Sequence, residues 1–281
     1  MVQMDGSHHA WLEGRGPDLV LMGYIDDATS TVSGRFYDYE GTMPAMDSFK
    51  GYVRKHGLPL SVYLDRHTTD TSPRKLTAWE EVEGRESLSQ FERALKELGV
   101  EVIHALSPQA KGRIERLFGV LQDRLVKEMR LRGIKTKEEA NAFLNEYLPR
   151  YNERFGVCPA NETDAHVTLP RQVDLNRYLC IKTERTIRND NTIALDGRPC
   201  RLEERGGKKV VVEERLDGSL RMISKGVSLR YREITQRPEK KVVPKTDARA
   251  FNQPPKPAKD HPGKRSWKQW MPARRQRASA Y

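Results

Sequence analysis

The sequence predicts an α/β fold: a mixed five-stranded sheet flanked by helices, then a small antiparallel β-barrel and a basic tail. Three observations carry this reading. Strand signals come three in a row before the first helix signal, and strands and helices then alternate. From about Leu179 the texture changes to short strand-like stretches separated by Gly turns. After Pro238 the chain is rich in Pro, Lys and Arg and is expected to be disordered in isolation. The boundaries that follow are a core at 1–155, a linker at 156–178, the barrel at 179–236 and the tail at 237–281.

Each element has a local reason. Val2, Gln3 and Met4 lead straight into Asp5 on the first strand, and an upstream part is expected to be missing. Leu19–Ile25 is a continuous apolar run, the mark of a strand covered on both faces. A polar turn, Asp26 to Thr31, leads to a partner strand at Val32–Tyr37. A helix follows, with Thr42 as N-cap, Pro44 in the first turn and Gly57 past the end. Leu60–Leu64 is a short strand ending at Asp65, and residues 66–86 read as a long loop or insertion. Ser87 and Gln90 form a capping-box pattern before a helix with Phe91, Ala94, Leu95 and Leu98 on one face, ended by Gly99. Val100–Ile103 is the next strand. The loop Ala105–Ala110 opens a helix of roughly twenty residues from Lys111, striped by Ile114, Leu117, Phe118, Leu121, Leu125 and Met129. Thr136 and Glu139 form another capping box, for a helix carrying Ala140, Phe143, Leu144, Tyr147 and Leu148. Turns at Asp196-Gly197, Gly206-Gly207 and Asp217-Gly218 separate the short strands of the barrel. In the core the order is three strands, then helix, strand, helix, strand, helix. That order is the ribonuclease-H-like one.

Charge points to a partner. Of the net +11, residues 231–281 carry 14 Lys and Arg against 4 acids, while the first 230 residues are almost neutral. Positive charge gathered at one end suggests a polyanion, with nucleic acid the default and a solubilising tail the plainer reading. Cys158, Cys180 and Cys200 make no C-x-x-C pair, so neither a zinc ribbon nor a disulfide framework is indicated. No run of 18 apolar residues suggests a membrane span.

Three acids stand out by position. Asp5 lies on the first strand, Asp65 at the end of the fourth and Glu115 in the first turns of the long helix, with 59 and 49 residues between them. In this order of elements the three positions converge at one end of the sheet. Clustered carboxylates repel one another and are stabilised by divalent cations. An all-oxygen site suits Mg²⁺, and a pair of such ions serves phosphodiester hydrolysis or transfer. Singly, each acid would be read as a turn, cap or solvated helix charge. Asp26 and Asp27 are poorer metal candidates, because a turn follows a central strand. His8 and His9 are adjacent on a strand and face opposite sides, so a structural role is expected.

The local words sharpen the picture. Ser107-Pro-Gln-Ala-Lys-Gly-Arg-Ile-Glu-Arg116 resembles the segment around the third acid in retroviral integrases and bacterial insertion-sequence transposases. Gln3–Ser7, Ile25–Thr29, Tyr63–Arg66 and Tyr151–Arg154 are similar to the family's other landmarks. The likeness covers about residues 1–235 and is nearest to the group labelled ISNCY. It implies a Mg²⁺-dependent (or Mn²⁺-dependent) polynucleotidyl transferase with two ions per site, held by Asp5, Asp65 and Glu115. It also implies double-stranded DNA, both transposon ends and target, as partner, with a homo-oligomer assembled on it and a bacterial cytoplasmic, nucleoid-associated location. Lys111, Arg113 and Arg116 are the expected core contacts to DNA; Lys264, Arg265, Lys268, Arg274 and Arg275 are those of the tail. Two departures stand out: a longer stretch between Asp65 and Glu115 than in retroviral integrases, and no helix-turn-helix segment ahead of the core. The alternatives are a catalytically idle, transposase-derived DNA-binding protein or truncated fragment, and a nuclease or junction resolvase on the same fold.

Overall fold

The computed structural model describes residues 1–64, 89–104, 112–170, 172–195 and 198–234. The chain divides into Met1–Gln236 and Arg237–Tyr281, and the second unit lies outside the described residues. So do the expected insertion at 66–86, the loop at 105–110 and the Asp196-Gly197 turn.

Five strands form the main sheet: β1 (Val2–His9), β2 (Leu19–Asp26), β3 (Val32–Tyr37), β4 (Ser61–Leu64) and β5 (Glu101–His104). Their order is β3-β2-β1-β4-β5, antiparallel from β1 to β3 and parallel from β1 to β5. Among the described residues four helices flank it: α1 (Thr42–His56), α2 (Gln90–Glu97), α3 (Gly112–Leu131) and α4 (Lys137–Phe155). This is the ribonuclease-H-like arrangement expected from the order of elements.

The β2 run is apolar throughout because both its faces are covered. Val20, Met22 and Tyr24 join Met46, Phe49 and Phe91 under α1 and α2. Leu19, Leu21 and Ile25 pack with Ile114, Phe118, Leu121, Phe143 and Leu148 under α3 and α4. Trp11, just past β1, completes the second core: it is fully buried and its indole N–H donates to the Ser7 carbonyl at 3.0 Å. Nothing periodic in the sequence marked it.

Two helix starts differ from expectation. The capping box of α2 is Ser89–Glu92, two residues after the one expected at Ser87–Gln90. The Ser89 hydroxyl accepts from the Glu92 N–H and the Glu92 carboxylate accepts from the Ser89 N–H. A carboxylate in the first turn also suits the helix dipole better than a Gln amide does. Thr42 begins α1 as a helical residue, and Gly41 is the N-cap without a side-chain bond. The Thr136–Glu139 box opens α4 as expected.

Two side-chain amides on α4 cover the outer edge of β3. Asn141 accepts from the Phe36 N–H (2.8 Å) and donates to the Phe36 carbonyl (3.1 Å). Asn152 makes the same pair of bonds with Val32, both at 2.8 Å. Each amide supplies one donor and one acceptor, as a neighbouring strand would. Helix α4 continues through Pro149, whose ring removes one internal N–H.

Beyond α4 the chain runs back along the core. The Val157 N–H donates to the Thr29 carbonyl, and Leu58 and Val167 exchange a pair of backbone bonds. His166 accepts or donates to the Tyr52 hydroxyl at 2.8 Å and is held by Asp164 through its other ring nitrogen at 2.8 Å. Beside it His56 bonds Ser33 and packs on Tyr52. The α2 helix receives the next strand: Gln90 pairs with both the N–H and the carbonyl of Lys182, and Arg93 donates to the Cys180 carbonyl.

The strands after α4 that the structure describes form two small antiparallel sheets. One has the order β11-β10-β9-β6, from β6 (Cys180–Thr186), β9 (Lys209–Arg215), β10 (Leu220–Ser224) and β11 (Val227–Leu229). The other has the order β12-β8-β7, from β7 (Thr192–Leu195), β8 (Arg198–Leu202) and β12 (Tyr231–Glu233). They share one core of Ile193, Cys200, Leu202, Val210, Val212, Met222 and Leu229. Gly218, at φ 76°, makes the β9–β10 turn possible.

Asn152→Ala should leave both backbone groups of Val32 without partners and cost about 1–3 kcal/mol, read as a lowered urea midpoint with unchanged m. His56 gives a pH dependence. Burial first, then Lys55 and His166, hold its pKa below the usual 6.5. The unfolded chain therefore takes the proton more readily. Stability should be full above pH 6.5 and fall as the pH drops through the depressed folded value. Urea midpoints between pH 7.5 and 5 should show this loss, and His56→Asn should lack it.

Candidate active site

Strand β1 differs from β2 in that only one of its faces is apolar. Val2 and Met4 enter the core under α1, while Gln3, Asp5 and Ser7 alternate onto the face under α3. Gln3 and Ser7 are each 5% exposed. Polar groups placed under a helix are costly unless bonded. The Gln3 amide oxygen accepts from the Ile114 N–H at 3.3 Å, and Ser7 accepts from Gln122 at 3.1 Å. Asp5 is half-buried and lies between them, with its Oδ1 accepting from the Gly6 N–H at 3.0 Å.

Helix α3 lies along this polar row. Its contacts step from Ile114 at Gln3 to Gln122 at Ser7. Between these, Phe118 covers Gly23, the residue paired with Asp5 in the β1–β2 register. A Cβ on Gly23 would come within 2.6 Å of the Phe118 ring, so the glycine lets α3 approach closely beside Asp5. Glu115 stands exposed in the first turn of α3, one residue after the Ile114 anchor, where the helix dipole favours a carboxylate.

Asp65 lies outside the described residues; β4 ends one residue before it, at Leu64. Lys111, Lys264, Arg265, Lys268, Arg274 and Arg275 also lie outside them. Among the described residues no cluster of three His, Cys, Asp or Glu could hold a metal. Arg116 is exposed and forms no ion pair among the described residues. Arg113 is engaged: it bonds the Asp27 carboxylate at 3.1 Å, the Asp27 carbonyl at 3.0 Å and the Ser30 hydroxyl at 3.3 Å. Asp26 does what a turn residue does, accepting from the N–H and hydroxyl of Thr29. His8 pairs with Glu40 at 2.6 Å and His9 packs edge-on against Trp11.

Sequence reasoning passed over Gln3 and the Asp27–Arg113 pair. A signal for Gln3 was present: a polar residue at the position before a buried Met and two before Asp5, on a strand whose other face is apolar. The Asp27–Arg113 pair joins residues 86 apart and left no local trace.

All three cysteines are free. Burial, with Glu213 adding to it, pushes the Cys180 thiol up to about 11, so it is poorly suited to nucleophilic work. Among the described residues no helix is long and apolar enough to cross a membrane.

No protein-family profile matches the chain. Its sequence is 38% identical over 240 residues to y4bF of Sinorhizobium fredii, named as a transposase, covering 83% of this chain and 51% of that protein. It is 34% identical over 213 residues to the transposase for insertion sequence IS1202 of Streptococcus pneumoniae, covering 75% and 44%. The chain thus spans about half the length of the curated relatives it matches. Solved structures with some likeness include the HTLV-2 integrase catalytic core domain in complex with magnesium, at 16% identity and TM-score 0.37, covering 52% of this chain and 80% of that one. The simian T-cell lymphotropic virus intasome matches at 16% identity and TM-score 0.44, covering 84% and 79%. By its sequence relatives, this chain is a homologue of bacterial transposases, matched over about half their length.

Proposed function

We propose that the chain is the catalytic and C-terminal part of a Mg²⁺-dependent polynucleotidyl transferase that cuts and joins DNA in transposition. The observation that carries this reading is a register. Strands β1 and β4 pair Val2 with Val62 and Gln3 with Tyr63, an offset of 60 residues, which is also the offset between Asp5 and Asp65. Meanwhile α3 is anchored to β1 two residues before Asp5 and one before Glu115. This register and this anchor support a reading in which three acids from separate stretches of sequence meet at one end of the sheet. The 38% identity to a transposase supports the same reading.

The donor set fits a hard divalent cation: three carboxylates, one on a half-buried strand face and one exposed at a helix start, leave room for phosphate and water oxygens. Bound there, Mg²⁺ or Mn²⁺ would activate a water or 3′-hydroxyl and neutralise charge on the departing oxygen. The chain's own residues do the positioning. The Gly6 N–H donates to Asp5 Oδ1 and helps to orient that carboxylate. Arg116 follows Glu115 on α3, and Lys111 lies four residues before Glu115 in the sequence; both are the proposed phosphate contacts of the core. The tail would supply further phosphate contacts through Lys264, Arg265, Lys268, Arg274 and Arg275, with Trp267 and Trp270 among them for stacking. Assembly of several copies on paired DNA ends belongs to this proposal.

Glu115→Gln keeps size and shape but removes a metal-binding charge. Strand transfer on candidate element ends should fall at least about a hundredfold while the urea midpoint stays put. Wild-type rates in this variant would exclude Glu115 from the chemistry.

Deleting 237–281 removes 13 Lys and Arg and 3 acids. Each phosphate no longer neutralised should lower the slope of log K against log salt by roughly 0.9, so the slope should flatten by several units. An unchanged slope, measured on duplex DNA by fluorescence anisotropy, would assign the tail another task.

A further inference from the structure

We propose that Gln3 and the Asp27–Arg113 pair are positioning residues: together they fix the first turn of α3 and so set where Glu115 stands relative to Asp5. This rests on the catalytic reading of Glu115 above. It also gives Arg113 a task other than gripping DNA.

The first turn of a helix carries N–H groups without intrahelical acceptors, and it frays unless something outside the helix accepts from them. Here the acceptor for Ile114 comes from another element, the Gln3 side chain at 3.3 Å. Gln3 is nearly fully buried, so its amide oxygen has little water to turn to if the contact is lost. It also shares a strand face with Asp5, two residues on. One bond therefore ties the strand of the first acid to the helix of the third.

The second tie comes from the other side. Arg113 reaches the β2–β3 turn with two hydrogen bonds, to the Asp27 carbonyl and the Ser30 hydroxyl, and an ion pair with the Asp27 carboxylate. That turn is itself braced: Asp26 accepts from Thr29 twice, and the Ser30 N–H donates to the Asp26 carbonyl. The Arg113 and Asp27 side chains are 39% and 40% exposed, so their charge attraction alone contributes little. What matters is the fork geometry, which fixes direction as well as distance. Residues 113 and 114 are thus held by two different parts of the sheet, and Glu115 is the next residue along. A shift of about 1 Å in such a group can cost a hundredfold in rate.

The test uses the full chain and three variants: Gln3→Leu, Asp27→Ala and Arg113→Gln. Hydrogen exchange of the peptide spanning 112–118 should quicken severalfold in Gln3→Leu, while Gln3→Glu, which keeps an acceptor, should stay protected. Strand transfer should fall about tenfold in Gln3→Leu, severalfold in Arg113→Gln and less in Asp27→Ala, which keeps the bonds to the Asp27 carbonyl and the Ser30 hydroxyl. The Asp27→Ala/Arg113→Gln double variant should be no worse than Arg113→Gln alone, because that change already removes the ion pair that Asp27→Ala removes. The DNA salt slope should not change in any of them. A slope lower by about 0.9 in Arg113→Gln, with Asp27→Ala behaving as wild type, would make Arg113 a phosphate contact and overturn the tether. Unaltered exchange in Gln3→Leu would overturn the cap. If Gln3→Leu fails to fold, the Asp27 and Arg113 arm decides alone. Full activity in Glu115→Gln in the same assay would remove the catalytic reading, and the exchange and binding results would still stand for the tether.

Discussion

An edge strand exposes a row of backbone N–H and C=O groups, and the rest of this core depends on how β3 satisfies its own. Asn141 and Asn152 of α4 each pair with both groups of one β3 residue, at Phe36 and at Val32. They stand 11 residues apart, about three helical turns. The helix is thereby held along the edge rather than merely packed on a face. With α4 in place, Phe143, Leu144 and Leu148 close the core that also holds α3. The same device recurs at α2, where Gln90 pairs with both backbone groups of Lys182 and receives the first strand of the small sheets. Three amides thus do what additional strands would do.

A second constraint sits under α3. A helix packed on a sheet normally meets an apolar face, but β1 offers Gln3, Asp5 and Ser7. Two of these polar groups are satisfied by α3 itself, through Ile114 and Gln122. The middle one, Asp5, keeps a carboxylate half-exposed beside the start of the helix. Gly23 lets Phe118 come down next to it. Polar residues there give up some core burial, and in exchange the helix start is registered against the strand to within one residue. That registration is what a site assembled from distant acids requires, because carboxylates separated by tens of residues have no local geometry to bring them together.

The two small sheets answer a different need. Neither is large enough to bury a core alone, and a single apolar cluster between them serves both. Their attachment to the core combines apolar packing of Leu179 and Leu216 with polar contacts, in which Arg93 and Gln90 meet the backbone at Tyr178 to Lys182 and Lys182 pairs with Glu97. The segment before them is stitched by backbone bonds to the β2–β3 turn at Thr29 and to Leu58 just past α1, and to α1 itself by the Tyr52–His166–Asp164 chain. His56 packs beside His166 there, and burial first of all holds its pKa below the usual value.

Much of this was legible in the sequence. The apolar run at Leu19–Ile25 could only be a strand covered twice, and the three-strand start followed by alternation dictated the sheet order, because periodicity and connection rules act locally. The capping box at Thr136 is local chemistry and was readable; the one at α2 was readable in kind but two residues off, since two Ser residues compete for the role. The acids Asp5 and Glu115 could be singled out by place, but not the groups that hold them. Gln3 meets Ile114 across 111 residues, Arg113 meets Asp27 and Ser30 across more than 80, and Asn152 meets Val32 across 120. Trp11 was invisible for the same reason: its burial is made by β3, α3 and α4. The sequence by itself determined which stretches become strands and helices and which acids could do chemistry. Only the tertiary structure decided which polar side chain answers which backbone group, because those pairings depend on distances that exist once the sheet and its helices have packed.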